Sequence, residues 1–360
     1  AQAAMTSQVT PVQFPHCSFE ACNGRSSIAP LIDGVPTFKR LEELVSLATS
    51  RFDVALSFVD VRKWRHPGTG ETFTQWMNRV HDRGIHVHVL CWRLEFRNPV
   101  LCHGPGGAGW DAWADASTLD GAKFSLRFDS SGPDHRHCHH EKTWVVDGDT
   151  PKPIAVTGGI TVTPKNAVAT PGHPLAELSH GQRNHDVNVE VRGKAASHIA
   201  QHFVQRWNAA CGHERPGWHF PDLVRACDLP EPPPSLPHPD GISCQVLRTL
   251  RPQQLPDRVQ GEDSIRRQWC NAISGAQHTI YIEQQHVCHP DLLTELLRAC
   301  DRGVCVVYLV PSVVVQERLR ALPRWCCDFV SACLGTPVCS WILHCLQWLQ
   351  WSLLPLPPTN

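Results

Sequence analysis

The amino-acid sequence predicts an α/β protein made of two similar halves, each with a mainly parallel sheet flanked by helices. Two observations support this prediction: a strand–helix–strand pattern occurs twice along the chain, and a proline-rich segment separates the two occurrences. Strands that alternate with helices are typical of right-handed βαβ units and parallel sheets. Because the pattern is duplicated, we expect the two halves to be related by a pseudo-twofold axis.

The first copy of the pattern occupies residues 51–92. The apolar run at 52–59 predicts a strand, residues 73–82 have the spacing of a helix, and residues 85–90 resume as a strand. Arg83-Gly84 separates the helix from the second strand, where glycine suits a helix C-terminus. Apolar residues at helical spacing also predict a helix at 37–48, just before this copy.

The second copy occupies residues 277–311 and repeats the same order of elements. A strand is predicted at 279–283, a helix at 292–301 and a strand at 304–309, with a further helix before them at 263–273. Asp-Arg-Gly ends the helix in both copies. We therefore interpret the two copies as an internal repeat.

The boundary between the halves is predicted at the proline-rich run that begins at Leu229, because neither a helix nor a sheet tolerates so many prolines. The predicted domains are an N-terminal extension at 1–27, a first half at 28–228, a linker at 229–240, a partial second half at 241–322 and a tail rich in tryptophan and cysteine at 323–360.

The composition is that of a globular protein with no overall attraction to polyanions. The 360 residues are 42% hydrophobic, which is enough for a substantial core, and the formal net charge is −1. A chain with so little net charge has no general affinity for nucleic acid or anionic lipid. Any anion must therefore bind at a local site, and nucleic acid is a less favoured partner.

Seventeen cysteines are scattered along the chain without CxxC pairs. Residues 1–11 lack the basic start and apolar run of a signal peptide. We therefore expect most cysteines to be free thiols in a reducing compartment, and a cytoplasmic or peripheral membrane location.

The pattern His140-x-Lys142-x4-Asp147, followed by Gly158-Gly159, is the strongest chemical signal in the sequence. Residues two apart on a strand point to the same side, so the imidazole and the ammonium share one face. An imidazole can attack phosphorus, and an ammonium can stabilise the phosphate oxygens under attack. This arrangement is typical of half a phosphodiesterase site.

These residues resemble the HKD motif of the phospholipase D superfamily. The resemblance extends, in the family's order, through residues 31–34, 185–187, 203–207 and 280–285, and covers about residues 28–315. It implies a site made of one motif from each half. One histidine forms a phosphohistidine and the other protonates the leaving alcohol, with no metal and no cofactor.

The resemblance also implies a role for each candidate site residue. His140 is expected to be the nucleophile, Lys142 to neutralise the phosphoryl oxygens and Asp147 to hold the motif in place. Further candidates, with the expected contribution of each, are Gly158 and Gly159 (close passage of backbone by the phosphate), Thr161 (a hydrogen bond), Glu283 (orientation of His140) and Asp186 (orientation of the second motif's histidine).

A second HKD motif is absent from the sequence. Equal spacing in the two halves would place its histidine at about position 359, yet no His-x-Lys-x4-Asp occurs after Gly148. We therefore expect a truncated second half, with the resemblance ending near 316–322. The apolar tail beyond it is interpreted as a mistranslated or divergent segment, or as an interfacial helix at 340–353 in peripheral contact with a membrane.

Plainer interpretations remain open for several residues. The nearly consecutive residues His135, His137, Cys138, His139 and His140 could form a metal site, but neighbours on a strand alternate faces, so no metal site is predicted. Glu283 could be a charged strand end and Asp186 a loop acid. His185 is expected to be a packed core histidine.

The predicted function is hydrolysis or transfer of a phospholipid head group. Lipid is preferred over nucleic acid because residues 31–34 and 185–186 resemble the lipid-processing, two-motif branch of the family. Because the second motif is missing, activity itself stays open. The alternatives are an inactive relative that binds phosphate or membrane, and a homodimer in which each chain supplies one motif, as in single-motif phosphodiesterases and nucleases.

Overall fold

The computed structural model describes most of the sheet-forming part of the chain. The described residues are 17–57, 59–61, 63–92, 122–129, 139–164, 185–210, 227–236, 238–239, 241–252, 254–255, 260–284 and 289–309. The predicted tail at 323–360 lies outside them. By the contacts of the described residues, the chain divides into a first unit that ends at Glu262 and a second unit that begins at Asp263.

An eight-stranded sheet is the frame of the first unit. Its strands are β1 (Cys22–Ile32), β2 (Arg51–Leu56), β3 (His86–Trp92), β4 (Ser125–Asp129), β5 (Lys142–Val146), β6 (Ile154–Gly158), β7 (Val187–Gly193) and β8 (Ile242–Cys244). They lie in the order β4-β3-β2-β5-β6-β7-β1-β8. Two short strands, β9 (Thr249–Leu250) and β10 (Glu262–Asp263), pair separately.

The sheet is mixed, which corrects the prediction of a mainly parallel sheet. Strands β2, β3 and β4 are parallel neighbours, whereas the pairings from β2–β5 through to β1–β8 are antiparallel. The reason lies in the connections: a short turn at 147–153 joins β5 to β6, and strands joined by a short turn run antiparallel. The α/β class and the flanking helices are confirmed.

In the described part of the first unit, three helices cover the sheet: α1 (Gly34–Ser46), α2 (Phe73–Asp82) and α3 (Lys194–Ala210). The start of α2 is fixed by Thr72, whose side chain accepts from the Gln75 backbone while the Gln75 side chain accepts from the Thr72 backbone. This reciprocal pair satisfies two backbone N–H groups that a helix start leaves without partners.

The core on the α1 and α2 side contains a cluster of aromatic rings around Trp144. This residue lies on β5 and is 1% exposed, with ring centroids 5.9 Å from Phe52, 5.7 Å from Trp76 and 6.2 Å from Phe38. Buried aromatic side chains contribute most of the apolar area in a core of this kind. Because Trp144 is two residues after Lys142, its packing fixes the strand that carries Lys142.

The described part of the second unit contains one parallel strand pair. It comprises α4 (Ser264–Gly275), β11 (Thr279–Glu283), α5 (Pro290–Asp301) and β12 (Cys305–Leu309), and β11 pairs with β12 in parallel. Ile273, Ala299 and Val304 form its small core. The predicted order of helix, strand, helix and strand is confirmed in this unit as well as in the first.

The two copies of the repeat share the same register. Counting from Asp-Arg-Gly, His86 corresponds to Cys305; His86 pairs with Arg51, the first residue of β2, and Cys305 pairs with Thr279, the first residue of β11. The pseudo-twofold relation and the predicted domain bounds stay predictions. The fold adds that residues 241–262 pack with the first unit, where β8 pairs with β1.

Among the described residues, no helix is both long enough and apolar enough to cross a bilayer.

Candidate active site

His140 and Lys142 lie side by side at the start of β5. Nζ of Lys142 donates to the backbone oxygen of His140 at 2.9 Å and is 3.0 Å from Nδ1 of its ring. The Lys142 side chain is buried, with 2% of its surface exposed, whereas His140 is exposed. The sequence prediction that these two groups share one face is confirmed, and the imidazole is the group that faces solvent.

His140 is a neutral base at physiological pH. Partial burial, followed by the charge of Lys142, lowers the pKa of His140 to about 4. A lysine ammonium cannot accept a hydrogen bond, so in this arrangement Nδ1 is the acceptor and the ring proton is on Nε2. The site therefore combines a neutral imidazole with an adjacent fixed positive charge.

Asp186 approaches this pair from the start of β7. Burial raises the pKa of the Asp186 carboxyl, while the nearby charges of Lys142 and His185 lower it in part. A Cβ on Gly159 would come within 2.2 Å of Asp186 Oδ1. The structure thus brings Asp186, Gly159 and Lys142 into one neighbourhood.

Gly158 lies equally close to the backbone and side chain of β7. A Cβ there would be 2.3 Å from the Val187 oxygen and 2.3 Å from Oδ1 of Asn188, which also accepts from Ile160 N at 3.2 Å. Both glycines were expected to allow a close approach to phosphate. The structure gives them an additional reason: β6 and β7 pack too tightly here for any side chain.

Asp33, at the turn from β1 to α1, anchors the segment that carries Asp186. Its Oδ1 accepts from His185 Nδ1 at 2.8 Å and from Asp186 N at 3.3 Å, and its own N–H donates to the Asp186 oxygen at 2.8 Å. Asp33 is fully buried, whereas 52% of the His185 side chain is exposed. The prediction that His185 is a packed core histidine is therefore wrong, because its Nδ1 edge is held by a buried carboxylate while much of the ring faces solvent.

Asp147 lies at the other end of β5 from His140. Its carboxylate accepts from the backbone N–H groups of Thr49 at 3.0 Å, Ser50 at 2.9 Å and Arg51 at 3.3 Å. These contacts join the end of β5 to the start of β2. The geometry is that of a structural anchor between two strands; the expected role of Asp147 in holding the motif in place stays a prediction.

Glu141 points to the opposite face of β5, toward α3. Its Oε1 accepts from His202 Nε2 at 2.7 Å and from Arg206 at 2.8 Å, and Arg206 also pairs with Asp129. Although burial alone raises the pKa of Glu141, Arg206 and His202 hold it well below its usual range. The contacts of Glu141 with His202 and Arg206 hold the start of β5 against α3.

Two predicted site residues are not brought to His140 by any described contact. Thr161 is 9% exposed, and its backbone oxygen accepts from Thr163 N at 3.0 Å. Glu283 belongs to the second unit, where it accepts a hydrogen bond from the Tyr281 hydroxyl. Their expected roles stay predictions.

Among the described residues, no group of three or more histidine, cysteine or acidic side chains is placed to hold a metal ion. Of the histidine- and cysteine-rich segment, residues 135–138 lie outside the described part of the chain. His139 lies within the electrostatic range of Arg206, Glu141 and Asp129. It is 8% exposed, and among the described residues neither of its ring nitrogens has a hydrogen-bond partner.

Sequence reasoning missed Asp33, Asn188 and Glu141 as contributors to the site. Asp33 belongs to a segment that carries the family resemblance, and its position directly before a glycine is the sequence signal that could have identified it. Asn188 alternates with apolar residues on β7, a pattern that indicates which face it lies on but not what it contacts. Glu141 lies between the two motif residues, where alternation alone places it on the far face.

The sequence is similar to curated phospholipases D over part of its length. It is 34% identical over 144 residues to "Phospholipase D1" of Saccharomyces cerevisiae, 32% over 186 residues to "Phospholipase D1" of Schizosaccharomyces pombe, and 24% over 204 residues to "Phospholipase D beta 2" of Arabidopsis thaliana. The matches cover 38%, 42% and 42% of this chain, but only 8%, 13% and 22% of those proteins. No protein-family model matches the chain.

Solved structures with a similar chain course include two bacterial proteins. NucT from Helicobacter pylori has a TM-score of 0.33 at 10% identity and covers 52% of this chain and 96% of its own. Nuc from Salmonella typhimurium, described as a phospholipase D family member, has a TM-score of 0.32 at 16% identity and covers 53% of this chain and 97% of its own.

Proposed function

Because the chain belongs to the phospholipase D superfamily, we propose that it is a phosphodiesterase in which His140 forms a phosphohistidine. The observation that supports this most directly is the contact between the buried Lys142 ammonium and the exposed His140 ring, 3.0 Å apart. A nucleophilic imidazole must be neutral, and the low pKa of His140 meets that requirement at neutral pH.

In the first step, a ring nitrogen of His140 attacks the phosphorus. The nitrogen–phosphorus bond forms as the bond from phosphorus to the leaving alcohol oxygen breaks, and the alkoxide takes a proton from a general acid. Lys142 Nζ stabilises the charge that develops on the phosphoryl oxygens. Water then attacks the phosphohistidine, returns a proton to the acid and releases the phosphate product; an alcohol in place of water gives transfer.

The resting hydrogen bond between Lys142 and His140 has a consequence for the order of events. With Nδ1 accepting from Lys142, Nε2 carries the ring proton and cannot attack. When a phosphate enters, its oxygens compete for the Lys142 ammonium. Once Lys142 turns to the phosphate, the ring proton can move to Nδ1, and Nε2 becomes the nucleophile.

The general acid is proposed to be the histidine of a second motif, which Asp186 would orient. Since this sequence carries one HKD motif, a second chain can supply that histidine as its own His140. This arrangement makes activity depend on protein concentration. The substrate is proposed to be a phospholipid head-group ester, because curated relatives named phospholipase D match this sequence.

The test is release of choline from a short-chain phosphatidylcholine by the purified protein, in the presence of a chelator. Bis(4-nitrophenyl) phosphate serves as a phosphodiester without a lipid. The His140→Ala variant is compared with the control His86→Ala. His86 is an exposed histidine on β3 that pairs with the first residue of β2, whereas Lys142 pairs with the last.

We expect chelator-resistant choline release that is lost in His140→Ala and retained in His86→Ala. If only the lipid-free ester is cleaved, the proposed phosphodiesterase activity stands and the proposal of a lipid substrate is overturned. No turnover of either compound over a wide range of protein concentration would overturn the proposed function, and would favour an inactive relative that binds phosphate.

A further inference from the structure

Two cysteines face each other across the antiparallel pair β1–β8. Cys22 and Cys244 are direct partners in the strand register. Residues opposite one another in antiparallel strands have Cα atoms about 4.5–5.5 Å apart, within the range of about 4.4–6.8 Å that a disulfide spans. Both thiols are free in this structure. The strand register therefore places the two Cα atoms at a separation that a disulfide can span.

The surroundings make the two thiols chemically unequal. Cys22 is completely buried, and its sulfur is 3.5 Å from Nδ1 of His198, whereas Cys244 is half-buried. A hydrogen bond from the Cys22 thiol lowers the pKa of Cys244, and the same contact raises that of Cys22. The less buried cysteine, Cys244, is thus the one that ionises first, and the thiolate is the reactive form of cysteine.

We propose that Cys22 and Cys244 form a redox-active dithiol that a hydroperoxide converts to a disulfide. In the first step the Cys244 thiol releases its proton and the thiolate attacks a peroxide oxygen. The oxygen–oxygen bond breaks, Cys244 becomes a sulfenic acid, and the departing hydroxide or alkoxide takes up that proton. The Cys22 sulfur then attacks the Cys244 sulfur, the sulfur–oxygen bond breaks and water leaves. Two thiols are oxidised, and one peroxide is reduced.

The position of this pair gives the disulfide a structural effect. β8 is a three-residue strand at the edge of the sheet and follows the proline-rich segment. A cross-link to β1 would hold that edge strand in the sheet. It would also restrict the segment that follows β8 in sequence and leads to the second unit. The inference rests on the β1–β8 register and is independent of the proposed phosphodiesterase chemistry.

The experiment treats the fully reduced protein with a small excess of hydrogen peroxide. Remaining thiols are then alkylated under denaturing conditions, and the protein is digested without reduction. We expect a peptide pair joined through Cys22 and Cys244 and an intact mass lower by two hydrogen atoms. The Cys227→Ser variant, which removes an exposed thiol elsewhere, should form the same link.

Variants at Cys22 and Cys244 distinguish the sulfur that attacks the peroxide from the sulfur that completes the disulfide. Their results do not depend on whether other cysteines are oxidised. In Cys22→Ser, Cys244 should accumulate as a sulfenic acid that dimedone labels, because its partner is gone. In Cys244→Ser, Cys22 should stay reduced. The proposal is overturned if both residues remain alkylatable after peroxide, or if Cys244 is found joined mainly to a cysteine other than Cys22.

Discussion

The Asp33 carboxylate holds the His185 ring through a 2.8 Å hydrogen bond from Nδ1, across 152 positions of sequence. Asp33 is fully buried, and its backbone is in the left-handed region at φ 67, which non-glycine residues seldom adopt. Such backbone strain persists only where surrounding contacts compensate for it. Here the compensation comes from the hydrogen bonds that fix the His185-Asp186 segment beside Gly159.

Replacing Asp33 tests whether its charge acts on the site or only holds the chain. In Asp33→Asn the side chain keeps its shape and an acceptor oxygen but loses its charge. Because the Asp33 charge helps to raise the pKa of Asp186, we expect the pKa of Asp186 to fall in the variant. An NMR titration of the Asp186 carboxyl carbon measures this. The exposed Asp82→Asn serves as control and should not change it; an unchanged or higher Asp186 pKa in Asp33→Asn would contradict the prediction.

Removing the ammonium of Lys142 should make His140 easier to protonate. The Lys142 charge contributes to the lowered pKa of His140, so in Lys142→Met that pKa should rise above about 4. It should stay below the usual value, because burial is the larger cause. Turnover should fall by roughly 100-fold to 1,000-fold, as when one oxyanion donor is removed. NMR titration of the ring gives the pKa, with the exposed Lys123→Met as control; an unchanged His140 pKa would refute the assigned contact.

A methyl group at Gly159 should displace the acid it touches. In Gly159→Ala the new Cβ would lie 2.2 Å from Asp186 Oδ1, so the carboxylate or the strand must move. We expect a loss of about 1–3 kcal/mol in the free energy of unfolding, measured by urea denaturation. Gly275→Ala is the matched control, because a Cβ there meets nothing within 4 Å. Equal stability of the two variants would show that the Gly159 contact is not tight.

The order of elements could be predicted from the sequence because it depends on local patterns. Apolar periodicity and the Asp-Arg-Gly signal located β2, α2 and β3 and their counterparts β11, α5 and β12. The mixed sheet could not be predicted in the same way. The strands outside the repeats, such as β5 and β7, carry no signal for which neighbour they pair with, and pairing is decided by turn length and tertiary packing.

The part of the candidate site that lies within the sequence motif could be predicted. His140 and Lys142 were expected on one face, and alternation along a strand is enough to place them there. By contrast, Asp33 meets His185 only because β1 pairs with β7, and Cys22 meets Cys244 only because β8 returns to β1. Such contacts depend on register between distant segments, which periodicity does not encode.

His139 should make the protein less stable in mild acid. It is buried, no residue that the structure describes gives either ring nitrogen a hydrogen-bond partner, and burial, followed by the charge of Arg206, lowers its pKa to about 4. The unfolded chain therefore binds a proton between pH 6.5 and about 4 that the folded chain does not. Over that interval, the free energy of unfolding falls as pH falls, with up to roughly 3 kcal/mol from this residue.

The His139→Leu variant isolates this contribution. Leucine cannot titrate and leaves no buried nitrogen without a partner, so the dependence of stability on pH between 4 and 6.5 should become shallower. Urea denaturation at pH 4.5 and pH 7 measures the change, with the exposed His86→Leu as control. An equally steep dependence in His139→Leu and the wild type would show that His139 is not buried in its neutral form.

Asp147 should matter for stability and leave the chemistry of His140 unchanged. In Asp147→Ala, the backbone N–H groups of Thr49, Ser50 and Arg51 lose their acceptor, and we expect unfolding to become easier by about 2–4 kcal/mol. The pKa of His140 should remain about 4 because Asp147 follows β5 at the opposite end. Asp82→Ala, which removes one exposed ion pair with Lys123, should cost about 1 kcal/mol or less. Stability and the His140 titration are measured separately. A variant that is as stable as the wild type but has a shifted His140 pKa would contradict the anchoring role, and would indicate that Asp147 interacts electrostatically with the site.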